Sequence, residues 1–179
     1  MSLRELLPGM NPRDHALLTA VLAICFLPPI PLPGISTVCG CVIVIAGVRM
    51  TWGLPPWIPR RWRERPLPGR SLVRVFWSMA AVMLKLEVMI RPRGRLISAH
   101  PWTLKANGLA IALCGLLIGG PLPPGSNPPP AFALLLLSIG TLEEDLLFLG
   151  LGYGALAGTL VLFARLGAMG WSGLRALLA

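Results

Sequence analysis

Apolar residues run in long stretches along this chain, and the charges fall between them. From Ala16 to Ile58 the only charged residue is Arg49; residues 106–142 carry no charge, and neither do residues 146–164. A hydrocarbon core of about 30 Å takes about 20 helical residues to cross. Each run reaches or approaches that length even after its proline breaks are subtracted. The pattern predicts membrane-crossing helices.

Two of the runs are interrupted by proline. In FLPPIPLPGIST (26–37) the turn-forming residues are Pro28, Pro31 and Gly34; in PLPPGSNPPP (121–130) they are Pro121, Pro124 and Pro128. Proline removes a backbone donor and clashes with the preceding turn, so a helix stops there. Ala16–Leu27 would make about 18 Å of helix, too short to span, and Ile35–Gly53 about 28 Å. As one kinked helix the pair would far exceed a single crossing, so a hairpin is predicted. Arg4 and Arg13 precede it, Arg60 to Arg65 follow it, and no basic residue lies at the turn. Both ends then face the cytoplasm. The turn has two possible depths, at the far surface or re-entrant within the bilayer. At membrane depth irregular backbone survives only where protein or water satisfies it.

Shifting the chain by 93 residues places Pro28 on Pro121, Pro31 on Pro124 and Gly47 on Gly140. The shared order of short helix, proline turn and longer helix predicts an internal repeat, the arrangement in which transporters hold a site between two units. Two independent hairpins with similar turns are the plainer alternative. Between the units, Ser71–Ile90 is apolar with Arg74, Ser78 and Lys85 near helical spacing. If that segment crosses, the second unit is inverted relative to the first; if it lies in the interface, the units are parallel.

Composition supports the membrane class. Hydrophobic residues make up 55%, charged residues 13%, and mean hydropathy is +0.73, outside the soluble globular range. Arg4, Glu5, Arg13 and Asp14 precede the first run with no small-x-small cleavage pattern after them, so the first helix is expected to be retained. Net charge is +9, mostly arginine outside the runs, in Arg60, Arg61, Arg63, Arg65 and Arg70 and in Arg91, Arg93, Arg95 and Lys105. Short cytoplasmic loops collect such residues and attract anionic headgroups, and Trp52, Trp57 and Trp62 bracket the first cluster. These loops are read as membrane-facing, with no nucleic-acid partner.

The expected fold is an all-α integral membrane protein in one domain, residues 1–179. A first helix–turn–helix unit covers 15–59, basic loops and a linking amphipathic helix 60–105, a second unit 106–145, and a C-terminal helical segment 146–179. Chemistry has few places to live. His15 and His100 lack partner patterns for metal or nucleophile work, and no phosphate-binding loop or dinucleotide fingerprint is present. The four cysteines lie in apolar runs and read as core residues. No enzyme activity, cofactor or metal is expected. Glu143, Glu144 and Asp145 stand side by side between apolar runs, where ionisable groups often mark substrate or ion pathways. A helix end is their plainer role. Arg49 falls just before the matching position of the first unit and is expected to pair with Glu143 or Glu144. Asn127, in the second turn, is a turn former or a ligand contact. Gly154 and Gly158, four apart, permit close helix approach, within the chain or between two copies.

The two proline turns, GLPPWIP, the ERP and IRPR punctuation, SNPPPA and GTLEED, in this order, resemble the ExoD exopolysaccharide-synthesis family over about residues 15–155. The chain departs from the pattern at Leu146, where a glycine would follow the acid. The resemblance implies a multi-pass protein of a bacterial inner membrane linked to exopolysaccharide production, without an established enzymatic activity. It suggests transport or binding of a lipid-linked or anionic small substrate between the two units. The alternative is a non-transporting scaffold that organises polysaccharide-synthesis enzymes. Expected partners are the bilayer at the basic loops, a second copy of the chain, and those enzymes.

Overall fold

Proline and glycine set the helix boundaries. The computed structural model describes residues 14–27, 35–55, 100–120 and 126–178. Within them the chain forms five α-helices and no strand: α1 (Asp14–Phe26), α2 (Ile35–Thr51), α3 (Pro101–Gly119), α4 (Pro128–Leu142) and α5 (Leu146–Leu178). Residues 28–34, with Pro28, Pro31 and Gly34, residues 56–99, with the arginine clusters and the linking segment 71–90, and residues 121–125, with Pro121 and Pro124, lie outside the described residues.

α1 stops one residue short of Leu27, which precedes Pro28, as expected for a residue that proline pushes out of the helical region. α2 ends on Gly53, at φ 67. The Gly53 N–H donates to the Met50 carbonyl at 3.0 Å and the Leu54 N–H to the Arg49 carbonyl at 2.9 Å. This pair of bonds closes the last turn of a helix around a left-handed residue. α4 ends the same way on Glu144, at φ 56, with the Asp145 N–H on the Gly140 carbonyl at 3.1 Å.

Two expectations need correction. The first helix of the second pair is not short: α3 has 19 residues and α4 has 15. His100 accepts the Trp102 N–H on its side chain, and Pro101 opens the first turn, so the helix starts well before the uncharged run. Pro128 does not belong to the turn either. It is the first residue of α4, where a missing N–H costs nothing.

Glycines control the packing of α2 on α3. A Cβ on Gly47 would lie 2.5 Å from the Gly108 carbonyl and 2.6 Å from the Ala112 nitrogen; one on Gly40 would lie 2.5 Å from Gly119 Cα. The two backbones therefore touch along an antiparallel seam. α4 is the central helix, buried through Ala131, Leu134, Leu137, Ser138 and Thr141, and it packs against α1, α3 and α5. On α1 the buried face is His15, Ala16, Thr19, Ala20, Ala23 and Phe26, small enough to sit close. A Cβ on Gly140 would lie 2.7 Å from the Leu149 nitrogen, and one on Gly152 2.9 Å from that of Leu137. α4 and α5 thus repeat the close approach.

Helix directions follow from these contacts. His15, at the start of α1, meets Leu54, just past α2; Asn107, early in α3, meets Thr141, late in α4. So α1, α3 and α5 run one way and α2 and α4 the other. Both hairpins open toward the same end, which makes them parallel and excludes the inverted arrangement. α3 and the stretch Leu146–Ala168 of α5 are long and apolar enough to cross a membrane. α5 has 33 residues, about 50 Å, twice the reach of α4. Among its described side chains the last buried one is Thr159, and Leu160, Val161, Leu162 and Leu166 beyond it are exposed.

Candidate functional site

The end of the bundle where α2 and α4 finish gathers most of the polar side chains. Arg49, in the last turn of α2, donates from Nε at 3.0 Å and Nη2 at 2.8 Å to the carbonyl of Pro55. That places the guanidinium on its own helix end, in place of the expected pair with Glu143 or Glu144. The repeat alignment explains the error. Matching the two helix ends by their left-handed residues sets Gly53 on Glu144, a shift of 91 and not 93, which moves Arg49 from the position of Leu142, next to the acids, to that of Gly140.

The acidic trio builds the junction between α4 and α5. Glu143 caps α4, with its N–H on the Ile139 carbonyl at 2.9 Å, and Glu144 carries the left-handed turn. Asp145 is fully buried, and its Oδ1 accepts the Leu147 N–H at 2.9 Å. An aspartate in this position satisfies one of the free donors at a helix start. The helix-end role is what these contacts support. No glycine is needed after Asp145, because the left-handed residue precedes it. Asn127 stands at the start of α4, with helical backbone angles and no capping bond from its side chain; its carbonyl accepts the Ala131 N–H. A Cβ on Gly154 or Gly158 would meet nothing within 4 Å among the described residues, so neither glycine serves the packing of the five helices.

Reasoning from charge alone passes over a line of uncharged polar groups. Asn107, buried on α3, donates from Nδ2 to Thr141 Oγ1 at 3.1 Å, and Thr141 donates to the Leu137 carbonyl at 2.7 Å. The hydroxyl of Tyr153 on α5 donates to Asn107 Oδ1 at 2.8 Å. One turn back along α4, Ser138 Oγ lies 2.8 Å from Thr19 Oγ1 of α1, which also donates to the Ala16 carbonyl. His15 is one turn from Thr19 and reaches the Leu54 carbonyl at 2.9 Å through Nε2. These bonds tie α1 to α4 and α3 to α4 and α5, and His15 reaches the segment just past α2. The available signal was Ser138 and Thr141, three apart on an otherwise apolar helix, which share a face.

Two surface stripes share one spacing. Outward from the apolar middle, α2 presents Val38, Ile45, Arg49 and Trp52, and α3 presents Leu116, Leu109, Lys105 and Trp102. The steps are seven, four and three residues on both helices. The apolar members and both tryptophans are exposed, Trp52 at 72% and Trp102 at 73%. Lys105 Nζ sits 5.3 Å from the centre of the Trp102 ring. Thr51 Oγ1 approaches the Lys105 carbonyl at 3.4 Å, so the two stripes are level.

The family model described as "Exopolysaccharide synthesis, ExoD" matches residues 1–165. The chain belongs to the ExoD family. It is 37% identical over 169 residues to Protein ExoD of Rhizobium meliloti (strain 1021), covering 93% of this chain and 70% of that protein. An uncharacterised protein of Synechocystis sp. is 26% identical over 147 residues, covering 79% of this chain and 69% of that one. No solved structure matches. Two of the ExoD-like motifs fall on the helix ends described above. Gly53, Leu54 and Pro55 of GLPPWIP supply the left-handed residue, the acceptor for His15 and the acceptor for Arg49. GTLEED spans the close-packed Gly140, the bonded Thr141 and the cap Asp145.

Proposed function

We propose that this member of the ExoD family is an integral, multi-pass component of a bacterial inner membrane that serves exopolysaccharide synthesis as a rigid scaffold. On this reading it holds polysaccharide-synthesis enzymes in the bilayer and passes no substrate through its own core. The supporting observation is the α2–α3 seam. A site between the two hairpins would have to part this seam or the contact of α1 with α4, and backbone touches backbone along the seam. The polar line ties α1 to α4 and α3 to α4 and α5, and so binds the hairpins further together. Membrane residence is supported by the apolar outer faces, by α3 and α5, and by the tryptophan–cation steps, since interfacial tryptophans and long cations that reach back toward water mark a bilayer edge.

A covalent pin tests the scaffold. Thr19 and Ser138 join the hairpins with their oxygens 2.8 Å apart, so T19C/S138C, in a background without the four native cysteines, forms a disulfide on oxidation. A scaffold keeps its exopolysaccharide output when pinned. Output that stops on oxidation and returns on reduction means that the hairpins must move, and restores the transport reading. Retention of the chain in membranes after alkaline carbonate washing tests residence separately.

A further inference from the structure

Arg49 and Lys105 are the cations of the two matched stripes, and among the described residues each is oriented by an uncharged group and paired with no carboxylate. Arg49 spends two of its five N–H groups on the Pro55 carbonyl, which carries no charge. Lys105 lies over the Trp102 ring. Both head groups turn toward the same end of the bundle, past the apolar rows Val38–Ile45 and Leu109–Leu116. On α2 the guanidinium reaches the residues beyond the helix, and on α3 the ammonium reaches back to the second residue of the helix. The Thr51–Lys105 contact sets these two steps at one depth, on helices that the glycine seam holds in fixed register. Below that level the exposed positions of both stripes are apolar; at that level they are cation and indole.

We infer that this level docks anionic phospholipid headgroups, with Arg49 and Lys105 contacting the lipid phosphates and Trp52 and Trp102 seated beside them. The inference rests on the membrane reading above and adds to it a lipid class, two contact residues and a depth. Charge complementarity selects the occupant. Two oriented cations, one lying over the exposed Trp102 ring and the other three residues before the exposed Trp52, at the edge of an apolar surface match a negative phosphate layer above acyl chains. A zwitterionic surface offers them no net attraction. The guanidinium keeps three N–H groups for phosphate oxygens, a pairing that arginine geometry favours.

Native mass spectrometry of the full chain in neutral detergent, with equal phosphatidylglycerol and phosphatidylcholine, reads the preference directly. The wild-type chain is expected to retain phosphatidylglycerol in excess. R49Q and K105Q should each reduce that excess about fivefold, the factor expected for one basic residue at an anionic surface. The Lys105 side chain gives up only its exposed contact with the Trp102 ring among the described residues, so K105Q remains informative if R49Q fails to fold. Equal retention of both lipids by the wild type, or an undiminished excess in R49Q/K105Q, overturns the proposal. Loss of phosphatidylglycerol to inorganic phosphate also overturns it, because the level would then bind a free anion. A chain that carbonate strips from membranes refutes the membrane reading itself; a retained chain without lipid preference refutes only this one.

Discussion

Tyr153 of α5 donates its hydroxyl to the side-chain carbonyl of Asn107 on α3, at 2.8 Å. It is the only tyrosine in the chain, and α3 and α5 otherwise touch little. The same amide holds Thr141 through its nitrogen, so one asparagine fastens three helices.

Removing the phenol hydroxyl should loosen α5. Y153F is expected to cost about 0.6 kcal/mol and at most about 1.7, the range found for hydrogen bonds between membrane helices. N107L should cost more, because it strands the tyrosine hydroxyl. The double variant should cost less than the sum of the two, since both remove one shared bond. Thermal unfolding in detergent measures all three, and strict additivity would mean that the bond contributes nothing.

The glycines of the chain should separate into two classes. G47A forces a Cβ to 2.5 Å from the Gly108 carbonyl and should destabilise by about 1–3 kcal/mol, as overpacking does. G154L meets open space and should leave the monomer's unfolding midpoint unchanged. We also propose that Gly154 and Gly158 form a seam between two copies, so G154L/G158L should lower the oligomer mass by light scattering. An unchanged mass removes that seam.

Helix ends should respond to backbone chemistry alone. G53A places a β-carbon on a residue at φ 67, for about 1–2 kcal/mol, whereas G53N should be tolerated. D145A removes the cap on α5 for about 1 kcal/mol, and D145N should keep most of it. If G53N unfolds as readily as G53A, the left-handed turn is not what the glycine supplies.

Pro55 and His100 leave the bundle at the same end. Compartment reporters fused after each should therefore read the same side of the membrane, and by the distribution of arginine that side is the cytoplasm. Reporters on opposite sides would contradict the parallel hairpins.

The sequence by itself determined the all-helical class and most of the segmentation. Long charge-free runs make membrane-crossing helices the expectation, and α3 and the stretch Leu146–Ala168 of α5 are long and apolar enough to cross. Proline stops a helix through its own covalent structure, so the ends of α1 and the start of α2 were legible from local chemistry. The order of small motifs likewise carried the family. The tertiary structure decided what depends on facing. Arg49 stood alone in its run and seemed to need an acid; only the turn after Gly53 shows a carbonyl already within its reach. The acids looked like a buried charge cluster, but their roles follow from a left-handed residue at Glu144 that no propensity assigns to glutamate. Asn107, Thr141 and Tyr153 are far apart in sequence and uncharged, so no local pattern links them. Their hydrogen bonds exist because glycine lets α2 close on α3 and α4 on α5, and that close approach fixes which polar atoms meet. Charge and hydropathy are summed along a chain; a hydrogen bond between helices depends on their rotation, which packing alone sets.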